Sequence, residues 1–177
     1  LYPQLAEAYF YRGDALRDLG QPEQAVEDYS QAIRVNPQDA TAYYNRGLSY
    51  YQQGRVRQAL DDYTRALRHE PQFLVAYLAR GNAYFSLDQH QRAIEDFDEA
   101  IRLDPKIVDA YFQRGLLYHK LGEHQRAIED FDEAILLDTA HVNSYLNRGL
   151  TYASMGNVQS AIEDLNEAVQ RDPELPL

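Results

Sequence analysis

The chain of 177 residues carries 17 Lys and Arg against 28 Asp and Glu, a formal charge of −11, and contains no cysteine. So acidic a surface repels phosphate backbones, which argues against nucleic acid as a partner, and the missing thiols exclude disulfides, thiolate metal sites and a cysteine nucleophile. No apolar run approaches the roughly 20 residues a membrane-spanning helix needs, so membrane insertion is not expected either.

From its start the chain is paced by a glycine that returns every 34 residues: Gly13, Gly47, Gly81, Gly115 and Gly149. An arginine precedes each one (Arg12, Arg46, Arg80, Arg114, Arg148), and a tyrosine stands one helical turn earlier (Tyr9, Tyr43, Tyr77, Tyr111, Tyr145). Two alanines follow in each period, at Ala25 and Ala32, Ala59 and Ala66, Ala93 and Ala100, Ala127 and Ala134, Ala161 and Ala168. The stretch from His90 to Ile101 recurs letter for letter from His124 to Ile135. Five periods without an insertion mean one supersecondary unit copied five times. The phase of the pattern and the absence of an initiator Met suggest a piece cut from a longer protein, with no signal-peptide pattern at Leu1.

The second period shows the plan. Ala42, Tyr43, Arg46, Gly47, Ser49 and Tyr50 recur at helical spacing, which predicts a helix over Ala40–Gln53 that stops at Gly54, a left-handed terminator. A second helix is predicted from Val56 to Arg68, with Ala59, Leu60, Tyr63, Ala66 and Leu67 on one stripe. Pro71 forbids its continuation. Gly47 and Ala59 mark a close helix–helix approach with large aromatics beside it. The other periods repeat this, giving ten helices in five antiparallel pairs.

Tyr43-x-x-Arg46-Gly47-x-x-Tyr50, then Ala59-x-x-x-Tyr63, Ala66 and Pro71, resembles the tetratricopeptide repeat. The resemblance implies an all-α, right-handed superhelical solenoid of antiparallel helix pairs, one array with repeats at about 6–39, 40–73, 74–107, 108–141 and 142–175. Four positions depart from the pattern: Leu16 and Leu165 replace aromatics, Asp88 replaces the turn glycine and Thr139 replaces the terminal proline. Aspartate tolerates a left-handed turn better than most residues, so Asp88 should still bend the chain.

Each copy also holds an aspartate on its second helix: Asp28, Asp62, Asp96, Asp130 and Asp164. One Arg and one Asp at fixed places predict an ion pair between packed helices rather than a ladder for an acidic ligand. No phosphate loop, zinc-protease motif or nucleophile elbow is present. The five histidines do not converge at metal-ligand spacing, so no catalytic residue, metal or cofactor is assigned and the chain is not expected to be an enzyme.

In arrays of this family the first helix of each pair lines the concave surface. Its non-core positions in the first copy, Phe10, Tyr11, Asp14 and Arg17, are half charged. In the later copies they are mostly aromatic, aliphatic or amide, and twelve residues there form the expected peptide-binding groove: Tyr44, Asn45, Leu48, Tyr51, Leu78, Asn82, Phe85, Phe112, Leu116, His119, Asn147 and Leu150. Apolar surface held in a concavity with scattered amides suits a peptide or helix, so the partner expected is a segment of another protein. The family's clamp for acidic C-terminal peptides lacks its cations here, since Tyr44, Leu78 and Phe112 stand in their places. Two other readings remain: self-association through open repeat ends into a homo-oligomer, or service as the substrate-recruiting arm of an enzyme domain elsewhere. A cytoplasmic setting is favoured by the absence of cysteine, and the compartment is otherwise left open.

Overall fold

The computed structural model describes residues 3–172. The end of the last repeat at Pro173–Leu175 and the expected open end at Leu177 therefore lie outside the described residues, as does the proposed fragment start at Leu1. Ten α-helices and no strand are found among the described residues: α1 Pro3–Asp18, α2 Pro22–Val35, α3 Ala40–Gln52, α4 Val56–His69, α5 Leu74–Ser86, α6 His90–Leu103, α7 Val108–Lys120, α8 His124–Leu137, α9 Val142–Ser154 and α10 Val158–Arg171. The predicted ends in the second period differ by a single residue, within the ordinary fraying of helix termini.

The chain divides into two compact units, Leu1–Asp96 and Phe97–Leu177. In the first, α3 pairs with α4 and also packs on α1, α2 and α5. In the second, α7 pairs with α8, α9 with α10, and α8 and α7 both meet α9. Both units are all-α tetratricopeptide-type solenoid pieces built from the same hairpin.

Small residues set the hairpin's closeness. Ala25, Ala59, Ala93 and Ala127 are wholly buried, and the rings of Tyr29, Tyr63 and Phe131 fill the space against the paced glycines. A Cβ on Gly47 would meet Cε1 of Tyr63 at 2.6 Å, and one on Gly115 would meet Cε1 of Phe131 at 2.7 Å. Only glycine lets the two backbones approach across an aromatic ring.

The turns follow the sequence as well. Gly20, Gly54, Gly122 and Gly156 close hairpins at φ of 72 to 77°, and Asp88 does the same work at φ 54°. Thr139 replaces a proline without loss because Asp138 accepts the Ala140 N–H at 2.9 Å. Asp104 accepts the Lys106 N–H at the same distance beside Pro105. The side-chain turn, and not the proline alone, bends the chain there.

Candidate functional site

The expected ion pairs form in all five hairpins. Each arginine grips its aspartate as a two-pronged fork, Nε and one terminal nitrogen donating to the two carboxylate oxygens at 2.6 to 2.9 Å. The aspartates are buried, 2% exposed at Asp62, so the paired, hydrogen-bonded form is the one that can exist there. Arg46 shows the balance: burial pulls its pKa down, but the hydrogen bond and charge of Asp62 outweigh burial and leave it raised. A tyrosine one turn earlier lies against each guanidinium, and at Arg46, Arg80 and Arg114 a second follows one turn later, Tyr43 and Tyr50 lying 5.6 and 5.9 Å from that of Arg46. From Arg46 to Arg148 this spine is interior structure, while the Arg12 side chain is largely exposed.

A feature not anticipated from the sequence is the arginine's remaining nitrogen. It reaches the second helix of the preceding hairpin, donating to Ser30 Oγ from Arg46 at 2.9 Å and to Asp98 from Arg114 at 2.5 Å. Arg80 reaches Thr64 at 3.4 Å, and Arg148 reaches Asp132. These four acceptors are one repeat apart, but their letters change.

The expected groove residues separate by role. In the first unit Tyr44 packs beside Phe73, ring centroids 5.2 Å apart, and beside Tyr63 at 6.0 Å. Leu48 leans on the cluster of Ala59, Tyr63 and Ala83. Asn45 is 8% exposed, and its Nδ2 donates to Asp14 at 3.0 Å, an oxygen that also accepts the Tyr29 hydroxyl at 2.6 Å. Its amide is therefore turned into a polar knot between the first two hairpins. Leu78, Asn82 and Phe85 are half-buried, with Phe85 edge-on to His90, and Tyr51 is 37% exposed.

In the second unit Phe112 sits between Phe131 at 6.1 Å and His141 at 4.9 Å. Leu116 is half-buried. His119 shares a hydrogen bond with Thr151 through Nδ1 at 2.9 Å, and its ring lies 5.4 Å from that of His124. Burial, with the neighbouring His124, lowers its pKa below the usual histidine value. Asn147 donates to the Asn143 carbonyl one turn back at 2.8 Å, and Leu150 is 46% exposed. Among the described residues no three His, Asp or Glu side chains gather as metal ligands would, and no helix is long and apolar enough to cross a membrane.

A family model described as tetratricopeptide repeat matches residues 40–73, 108–138 and 142–175, and one described as TPR repeat matches 13–54 and 81–122. The chain belongs to the tetratricopeptide repeat family. Solved structures of this family superpose on it closely. One is a MamA protein with 26% identity, 99% of both chains covered and a TM-score of 0.90. A second is YrrB, titled a TPR protein with an unusual peptide-binding site, with 26% identity over 94% of this chain and 86% of that one, TM-score 0.81. A third is MamA from Desulfovibrio magneticus, whose 19% identity over 97% of both chains, at a TM-score of 0.90, speaks to the tetratricopeptide fold alone. No curated protein matches the chain. Tetratricopeptide membership makes the chain a protein-interaction scaffold in its general character.

Proposed function

We propose that the chain is a non-enzymatic scaffold whose first-helix faces bind a peptide or a helix of a partner protein. The observation that carries the reading is the apolar character of those faces. Tyr51 and Leu150 stand 37% and 46% exposed, and half-buried Leu48, Leu78, Phe85 and Leu116 join them at places where a helix facing only water would carry charge. The amides of Asn82 and Asn147 would meet the backbone of the bound segment. Tyr44 and Phe112, wedged between rings, would act as walls, and His119 would border the second unit's stretch. Asn45, held by Asp14, takes no part. The solved relative described as having a peptide-binding site supports the same use of the fold.

Peptides selected by display on the wild-type chain test this. Leu48→Asp in the first unit or Leu116→Asp in the second should weaken a selected peptide by about tenfold or more, because an uncompensated carboxylate then faces its apolar side. Equal binding by both variants, with circular dichroism unchanged, would sink the assignment.

One observation favours a second reading, self-association. On α10, Ile162 and Val169 are 50% and 40% exposed. Their counterparts one or more repeats earlier, Ile128 on α8 and Leu67 on α4, are 4% and 7% exposed. Stacking on another copy would cover that face. Light scattering should then show a mass that rises with concentration; a monomer throughout argues against it.

A further inference from the structure

The residue just ahead of a first helix can lean over a ring of the preceding hairpin. Phe73, ahead of α5, lies 5.2 Å from Tyr44, and His141, ahead of α9, stands edge-on 4.9 Å from Phe112. One repeat before Tyr44 and Phe73, the matching residues are Phe10 and Asp39. Asp39 does not reach outward as Phe73 does. Its carboxylate turns back to accept the Ala42 N–H at 3.0 Å and caps α3.

Where a ring would lie, a cavity of about 580 Å³ opens over Phe10. Tyr11 and Val35 wall it, and Glu7, Asn36 and Asp39 edge it. Its size is that of a ligand pocket rather than a packing defect. The side of Phe10 turned to the core meets Tyr29 edge-on at 5.9 Å, and Tyr11 itself is 67% exposed. Among the described residues no basic side chain lines the cavity, while two carboxylates do.

We infer that this cavity anchors a partner segment in which an aromatic residue stands next to an arginine. The aromatic ring enters over Phe10, taking the place that Phe73 occupies over Tyr44 and His141 over Phe112. The guanidinium lies between Glu7 and Asp39, where a charge-assisted hydrogen bond is stronger than a neutral one. The face of Tyr11 is open to the same cation. The molecule already pairs these groups elsewhere, with Arg55 set 4.4 Å over Tyr50 and Arg171 4.4 Å over Tyr145. The inference rests on the reading that the chain binds peptides, but on none of the residues proposed to line the first-helix faces.

The test titrates N-acetyl-phenylalanyl-arginine amide into the whole chain and follows the methyl NMR signals of Ala6, Val35 and Thr41. Saturable shifts confined to these signals at millimolar peptide are expected, with phenylalanyl-glutamate amide binding about tenfold more weakly. Asp39→Phe supplies the ring from within and should abolish the shifts. Asp39→Asn keeps the cap but removes a charge, and should erase most of the preference for arginine over glutamate. Leu48→Asp and Leu116→Asp should leave the titration untouched, so a failed face and a failed cavity are told apart. The inference is overturned by an absence of shifts, by unchanged binding in a folded Asp39→Phe variant, or by equal binding of the two peptides.

Discussion

The second hairpin, α3–α4, and the last, α9–α10, share one register and differ in two ways that show what the repeat demands. In α3–α4 the paced glycine lies under Tyr63, a ring 1% exposed, whereas in α9–α10 Gly149 faces Leu165, whose Cγ would lie 3.1 Å from an added Cβ. The outer stripe of α4 is covered by α5, which packs against it, while that of α10 shows Val158, Ile162 and Val169 to solvent. The Arg–Asp fork is nonetheless the same in both, at 2.6 to 2.7 Å. The hairpin therefore tolerates a change of ring to aliphatic, and a change in what covers it, but keeps its buried charge pair.

Breaking the shared part should cost most. Arg46→Met leaves Asp62 buried without its cation and should destabilise the chain by about 3 kcal/mol or more, read from urea denaturation with the slope unchanged. Because the Arg12 side chain is 65% exposed against 13% for Arg46, Arg12→Met should cost clearly less. A smaller effect should separate the two hairpins. Gly47→Ala drives a methyl into the fixed ring of Tyr63 and should cost roughly 1–3 kcal/mol. Gly149→Ala meets Leu165 and the Ala161 carbonyl at only 3.1 to 3.3 Å. Its gain in helix propensity offsets part of that crowding, leaving a cost below about 1 kcal/mol. Equal losses at the two glycines would show that the ring does not set the hairpin's closeness.

What could be read from the letters was whatever recurs. The glycine–ring contact, the fork from Arg46 to Asp62 and the left-handed Asp88 all follow from a fixed period combined with steric rules. The third arginine contact escaped because Ser30, Thr64, Asp98 and Asp132 share a place but not a letter. The role of Asn45 escaped for a similar reason, since its partner Asp14 belongs to the neighbouring copy and has no repeated equivalent. The cavity over Phe10 was harder still. It lies beside Asp39, which caps its own helix where the matching Phe73 leans over Tyr44. A signal was present in the contrast of Asp39 with Phe73, but reading it required knowing which ring each residue overlies.

The arginine's outermost nitrogen also sets how neighbouring hairpins share their fate. In the first unit it meets hydroxyls, at Ser30 and Thr64; in the second it meets carboxylates, at Asp98 and Asp132, about half exposed. Nearest-neighbour coupling decides whether a solenoid melts as one body or frays hairpin by hairpin. Seams closed by charge loosen as ionic strength rises, whereas seams closed by hydroxyls barely respond. The third contact of one arginine per hairpin thus tunes the cooperativity of each unit and makes the second the one whose melting salt can soften.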